Sequence, residues 1–145
     1  MSIRFRSRGG RFGLLLGVCT ALWAAAGCGE KGPKLVPVAG KVMAGDEPVP
    51  FGSVQFRADT GRGNQSWEVP TGVIQPDGSF EIMTGTRKGA PPGWWKVLVI
   101  GDNYTVEEPA KQLLPYRYLS VKETDLTVEV VEHPGEGAYV FKLNP

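Results

Sequence analysis

From Val38 onward the apolar residues recur at every second position inside short runs, with Gly, Pro, Asn and Asp standing between the runs. A period of two puts successive side chains on opposite faces of an extended chain, so the pattern is that of half-buried β-strands. Val38-x-Gly40-x-Val42 predicts a first strand, Val54 and Phe56 a second, and the less regular stretch from Trp67 to Ile74 a third. Phe80 and Ile82 mark a fourth, and Trp95, Val97 and Val99 a fifth. Leu126, Val128 and Val130 alternate through a sixth, Tyr139, Phe141 and Leu143 through a seventh. About seven short strands joined by turns favour an all-β sandwich. Gly45-Asp46 and Asp77-Gly78 supply residues that accept positive φ and can reverse the chain. Pro48, Pro50, Pro91 and Pro92 fall at run boundaries, where a missing N–H does least harm to a ladder. The nearest helical candidate after residue 28, Val106 to Leu114, is interrupted by Pro109, so at most one turn of helix is expected there.

The first 27 residues follow a different rule. Arg4, Arg6, Arg8 and Arg11 precede an apolar run from Phe12 to Ala26, without an acidic residue among them. This is the layout of a secretory signal peptide, and a run of about 15 residues falls short of the ~20 that a membrane-spanning helix needs. Ala25-Ala26-Gly27-Cys28 closes the run and resembles the lipobox of bacterial lipoproteins, with small residues ahead of a cysteine that receives a diacylglyceryl group. Ala25 stands where that pattern usually has Leu. The resemblance implies cleavage between Gly27 and Cys28, acylation of Cys28, and membrane lipid as a partner of the chain. Gly29 stands where some lipoproteins carry an Asp that retains them at the inner membrane, so the resemblance favours the outer membrane. Cleavage at an Ala-x-Ala site such as Ala24-Ala25-Ala26 is the alternative, but it would leave Cys28 as a lone thiol in an oxidising compartment.

Removing residues 1–27 from the 145 leaves 118, one domain's worth. The segment removed holds four of the sixteen basic residues and no acidic one, which leaves twelve against fifteen and a net charge of −3. A mildly acidic domain without basic clusters gives no electrostatic footprint for nucleic acid. Residues 28–37, the cysteine and the Gly- and Pro-rich GEKGPKLVP, read as a lipidated end and flexible tether, with the sandwich domain over 38–145. The connection from Gly101 to Thr124 is long for a compact domain and rich in Tyr and Leu, so it is expected to fold back over an edge or end of the sandwich.

Val38, Gly40, Val42, Gly45, Pro48, Val54 and Phe56, then Asp77-Gly78-x-Phe80-x-Ile82-x-Thr84, then Gly89, Pro92-Gly93, Trp95, Val97 and Val99, together resemble the carboxypeptidase regulatory-like family. Leu114-Pro115-x-x-Tyr118 and the strand Leu126-x-Val128-x-Val130 are similar to the second half of its small bacterial lipoproteins. The resemblance runs from about Val36 to Leu143 and implies a transthyretin-like, or prealbumin-like, β-sandwich. Trp95 replaces the usual Tyr, and Ile74-Gln75 a frequent Thr-Asp pair. Fold alone does not imply an activity.

Reactive constellations are sparse. The one histidine, His133, sits in the turn-like Glu132-His133-Pro134-Gly135, and no Ser lies in a nucleophile-elbow context. Zinc needs three or four suitable ligands, and the chain after residue 28 offers one His and no free Cys. Asp102, Asn103, Glu107 and Glu108 could offer oxygens to calcium, but without EF-hand spacing a solvated acidic loop is the plainer reading. The hydroxyisourate hydrolases of transthyretin-like fold use histidines, an arginine and a C-terminal tyrosine-containing motif; Phe141-Lys142-Leu143-Asn144-Pro145 has no counterpart to it. The sequence therefore points to a non-catalytic domain without a cofactor, binding or scaffolding other envelope components.

Aromatic side chains give the alternative, a carbohydrate- or peptide-binding module. Trp67, Trp94 and Trp95 could present flat rings to a ligand. Trp95 shares its face with Val97 and Val99 and is assigned to the core. Trp94 falls on the opposite face with Leu98 and Ile100, and with Tyr104 and Tyr116 of the 101–124 loop forms the candidate ligand surface.

Overall fold

The computed structural model describes residues 32–101 and 114–144. Ten strands lie among them, β1 (Ala39–Ala44), β2 (Glu47–Pro48), β3 (Ser53–Ala58), β4 (Thr71–Val73), β5 (Ser79–Glu81), β6 (Met83–Thr84), β7 (Arg87–Lys88), β8 (Gly93–Ile100), β9 (Thr127–Val130) and β10 (Val140–Leu143). They form two sheets. In the smaller, β1 is central, with β10 parallel to it on one side and β5 and β2 antiparallel to it. The larger runs in the order β7-β6-β4-β3-β8-β9 and is antiparallel throughout. This all-β, two-sheet architecture is the expected sandwich at its coarse level.

Alternation decides what is inside. Val42 of β1, Val54 and Phe56 of β3, Phe80 of β5, Trp95, Val97 and Val99 of β8, Val128 and Val130 of β9, and Phe141 and Leu143 of β10 are all buried in one core. An aromatic chain crosses it. Trp95 and Phe56 of the larger sheet lie 6.2 Å apart by ring centroids, Phe56 meets Phe141 of the smaller sheet edge-on at 6.2 Å, and Phe141 stacks on Phe80 at 5.6 Å. The Trp95 indole N–H donates to the carbonyl of Pro91 at 3.1 Å, so the largest buried side chain leaves no polar atom unsatisfied.

Three departures from the sequence reading have local causes. The third strand is confined to Thr71–Val73, because Asn64 and Ser66 bond the chain's own backbone ahead of it (Ser66 N–H to Asn64 Oδ1, 2.9 Å; Glu68 N–H to Ser66 Oγ, 3.2 Å). Such local bonds compete with a ladder. The predicted fourth strand is two strands. It bends at buried Ile82, so that β5 pairs with β1 in one sheet and β6 with β4 in the other. The Gly45-Asp46 turn is an in-sheet hairpin joining β1 to β2, whereas the turn at Asp77-Gly78 carries the chain between the layers. There Gly78 holds φ +81° and the Asp77 carboxylate accepts from the hydroxyl and the N–H of Ser79, which keep its pKa below the usual carboxylate value.

The packed chain also starts ahead of Val38. Val36 is buried and pairs with Ala90, and the Pro33 carbonyl accepts from Arg87 Nη2 at 3.1 Å. Lys34 pairs with Glu132. Residues 33–37 thus lie along the sandwich. At the other end of the domain, Leu114 enters the core just ahead of a 3-10 turn over Tyr116–Leu119, Tyr118 enters it from that turn, and Thr124 Oγ1 donates to the Val97 carbonyl at 2.8 Å. This segment takes over along β8 where β9 stops. The Tyr118 hydroxyl accepts from the Asn144 N–H at 2.8 Å, which ties the segment to the end of β10 in the other sheet. The helical candidate at 106–114 lies outside the described residues, apart from Leu114.

Candidate binding surface

The core-facing residues of β3 and β8 oblige the residues between them to face out. Register places Ser53, Gln55 and Arg57 of β3 beside Ile100, Leu98 and Lys96 of β8 on the outer face of the larger sheet, with Trp94 one step beyond Lys96. On β4, Thr71 and Val73 lie opposite Gln55 and Ser53. The alternation continues backwards from β4, with buried Pro70 between outward Thr71 and Val69 and with Trp67 two residues before Val69. Trp67 is 85% exposed, Val73 65% and Val69 39%.

Trp94 is half-buried, and its ring is not free on both sides. A 3-10 turn over Thr60–Arg62 brings the Arg62 guanidinium to 4.2 Å from the ring centroid. Asp59 holds Arg62 at 3.6 Å, and Asn64 Nδ2 donates to the Trp94 carbonyl at 2.7 Å, so the 59–64 loop is clamped on the start of β8. Tyr116 is exposed, but it follows Leu114, which packs against Gly101 just past the end of β8. Trp94 and Tyr116 therefore belong to opposite ends of that strand and do not form one patch. Tyr104, Gly27 and Cys28 lie outside the described residues, as do Asp102, Asn103, Glu107 and Glu108.

His133 is exposed in the 131–139 connection between β9 and β10. Among the described residues no group of three or more His, Cys, Asp or Glu could hold a metal ion, and no helix is long and apolar enough to cross a membrane.

Two cations in the middle of the outer face were not singled out by the sequence reading. Arg57 and Lys96 are direct neighbours across the β3–β8 ladder. Arg57 Nε is buried without a hydrogen-bond partner, and Nη2 reaches only Gln55 Oε1, at 3.4 Å. Neither cation makes an ion pair among the described residues. Two adjacent like charges repel and leave anion-binding capacity unused. Comparison of the chain with protein-family models, with curated proteins and with solved structures finds no match in any of the three.

Proposed function

We propose that the chain is a lipoprotein of the bacterial envelope, cleaved ahead of Cys28, acylated there, and held outside the cytoplasm as a non-catalytic binding or scaffolding domain. The outer membrane is the proposed location, and a transthyretin-like sandwich of the carboxypeptidase regulatory-like kind is the proposed fold family. The observation that carries this reading is the order basic segment, apolar run, Ala-Ala-Gly-Cys, followed by only seven residues before buried Val36. At most roughly 3.6 Å per residue, the eight steps from Cys28 to Val36 keep that buried residue within about 29 Å of an acylated cysteine. Two or three acyl chains on one residue supply the multiple membrane signals that durable anchoring requires.

The test is replacement of Cys28 by Ser in the expressed full chain, followed by fractionation and metabolic labelling with a fatty acid. The wild type is expected to carry label and sediment with membranes, and C28S to lose the label. A C28S protein that still carries label, or a wild type that never acquires it, overturns the reading.

A further inference from the structure

We infer that the outer face of the larger sheet is a membrane-contact surface that lies on anionic phospholipid headgroups, an inference that rests on the proposed acylation of Cys28. Three observations converge on this face. Trp67 and Val73, the two most exposed large apolar side chains among the described residues, lie on its β4 side with Val69 between them in the chain, whereas Leu98 nearer its centre is buried. Trp is the side chain best suited to the boundary between headgroups and acyl chains, with an apolar ring and one N–H donor. Beside that strip, Arg57 and Lys96 are adjacent cations without an acidic partner among the described residues. Arg62, on the Trp94 ring, adds a third positive group whose own acid is Asp59. Glu129, facing Trp94 from β9, is the exposed acid on the far side of the face.

The position of the chain's entry selects a membrane over other anionic partners. Gly32 packs against Arg87, so the chain comes in beside β7, the edge strand of this same sheet. Cys28 stands four residues earlier, at most roughly 14 Å from Gly32 even if fully extended. From β7 the order is β6 and then β4, which puts Val73 and its strand about 10 Å from that edge at ordinary strand spacing, with Val69 and Trp67 just ahead of that strand in the chain. An acyl chain rooted so close to the edge brings the adjoining face to the surface, where its exposed apolar strip loses water and its cations meet phosphates. Raised salt should weaken the contact, since exposed charges are screened.

The experiment uses the full acylated chain reconstituted in vesicles of phosphatidylcholine alone and of phosphatidylcholine with phosphatidylglycerol, each with lipids brominated high in the acyl chain. Tryptophan quenching is read, and the difference between wild type and W67F isolates Trp67. In phosphatidylglycerol vesicles we expect Trp67 to be quenched severalfold more than in phosphatidylcholine, with the excess lost in R57Q/K96Q and at high salt. Near-UV circular dichroism checks that the variants fold; should R57Q/K96Q fail to, W67F and the salt series carry the test. A protein that floats with both kinds of vesicle while its Trp67 stays unquenched is anchored but not docked, and overturns the membrane-contact surface alone. Binding of an acidic polysaccharide through Arg57 and Lys96 by such a protein assigns the face to a glycan and overturns it equally. A protein that floats with neither vesicle overturns the acyl anchor, and the membrane-contact surface falls with it.

Discussion

Gly40 and Gly45, five residues apart on the first hairpin, are glycines for different reasons. A Cβ on Gly40 would collide with the Tyr139 carbonyl and stand 2.8 Å from the Phe80 ring. Gly45 has φ +63° and open space around it. Gly40→Ala is expected to force β10 away from β1 and cost about 1–3 kcal/mol in denaturant unfolding, the range for overpacking a well-filled site. Gly45→Asn, which tolerates a left-handed turn, should cost only a few tenths. Tyr139 is buried beside that site, and burial raises its pKa above the ordinary value of about 10. A raised tyrosine pKa means that the neutral form is favoured in the folded state. Its stabilising contribution is whole below the ordinary value and is lost as pH rises through the folded one. Thermal stability of the wild type is therefore expected to fall on the alkaline side, and Tyr139→Phe should flatten that fall; an unchanged alkaline profile in the variant would refute the assignment.

At the scale of elements, the segment 114–124 is the part that behaves least like a connection. Tyr118 bridges it to the last strand through the Asn144 N–H, and Thr124 holds it to β8. Tyr118→Phe keeps the ring in the core and removes the bridge, at an expected cost of about 1 kcal/mol. Amide exchange should quicken at Asn144 while the β3–β8 ladder keeps its protection. The Pro-x-x-Tyr pattern was legible in the sequence as part of a resemblance, and the fold-back as an expectation from apolar content. The partner of Tyr118 was not legible, because a hydroxyl that meets a backbone amide 26 residues away leaves no periodic trace. Alternation located β3, β8, β9 and β10 because each has two or more core residues at a spacing of two, and β1 because Val42 continues the spacing from buried Val38 just ahead of it. It could not find β2, β6 and β7, which have two residues each. The cationic pair was hidden for a similar reason. Arg57 and Lys96 each sit in their own strand as an ordinary outward residue, and only the β3–β8 register makes them neighbours.

On the whole-molecule scale the two sheets are joined by rings. Phe56 from one sheet touches Phe141 from the other, and Phe141 stacks on Phe80. Phe141→Ala should cost about 3–5 kcal/mol, the usual range for an emptied aromatic site in a core. In a double-mutant cycle with Phe56→Ala, coupling well above zero is expected, because the two rings share one cavity. Two additive losses would mean that the sheets are stabilised independently. The pairing of β10 alongside β1 has a consequence in time. A nascent chain presents residues 39–44 about 100 residues ahead of residues 140–143, yet these two strands are hydrogen-bonded neighbours. Until those later residues emerge, β1 has one flank without its parallel partner and Val42 lacks its full cover. The ladder joining these strands must wait for the last of them, so anything that holds the polypeptide extended in the interval works with this topology rather than against it.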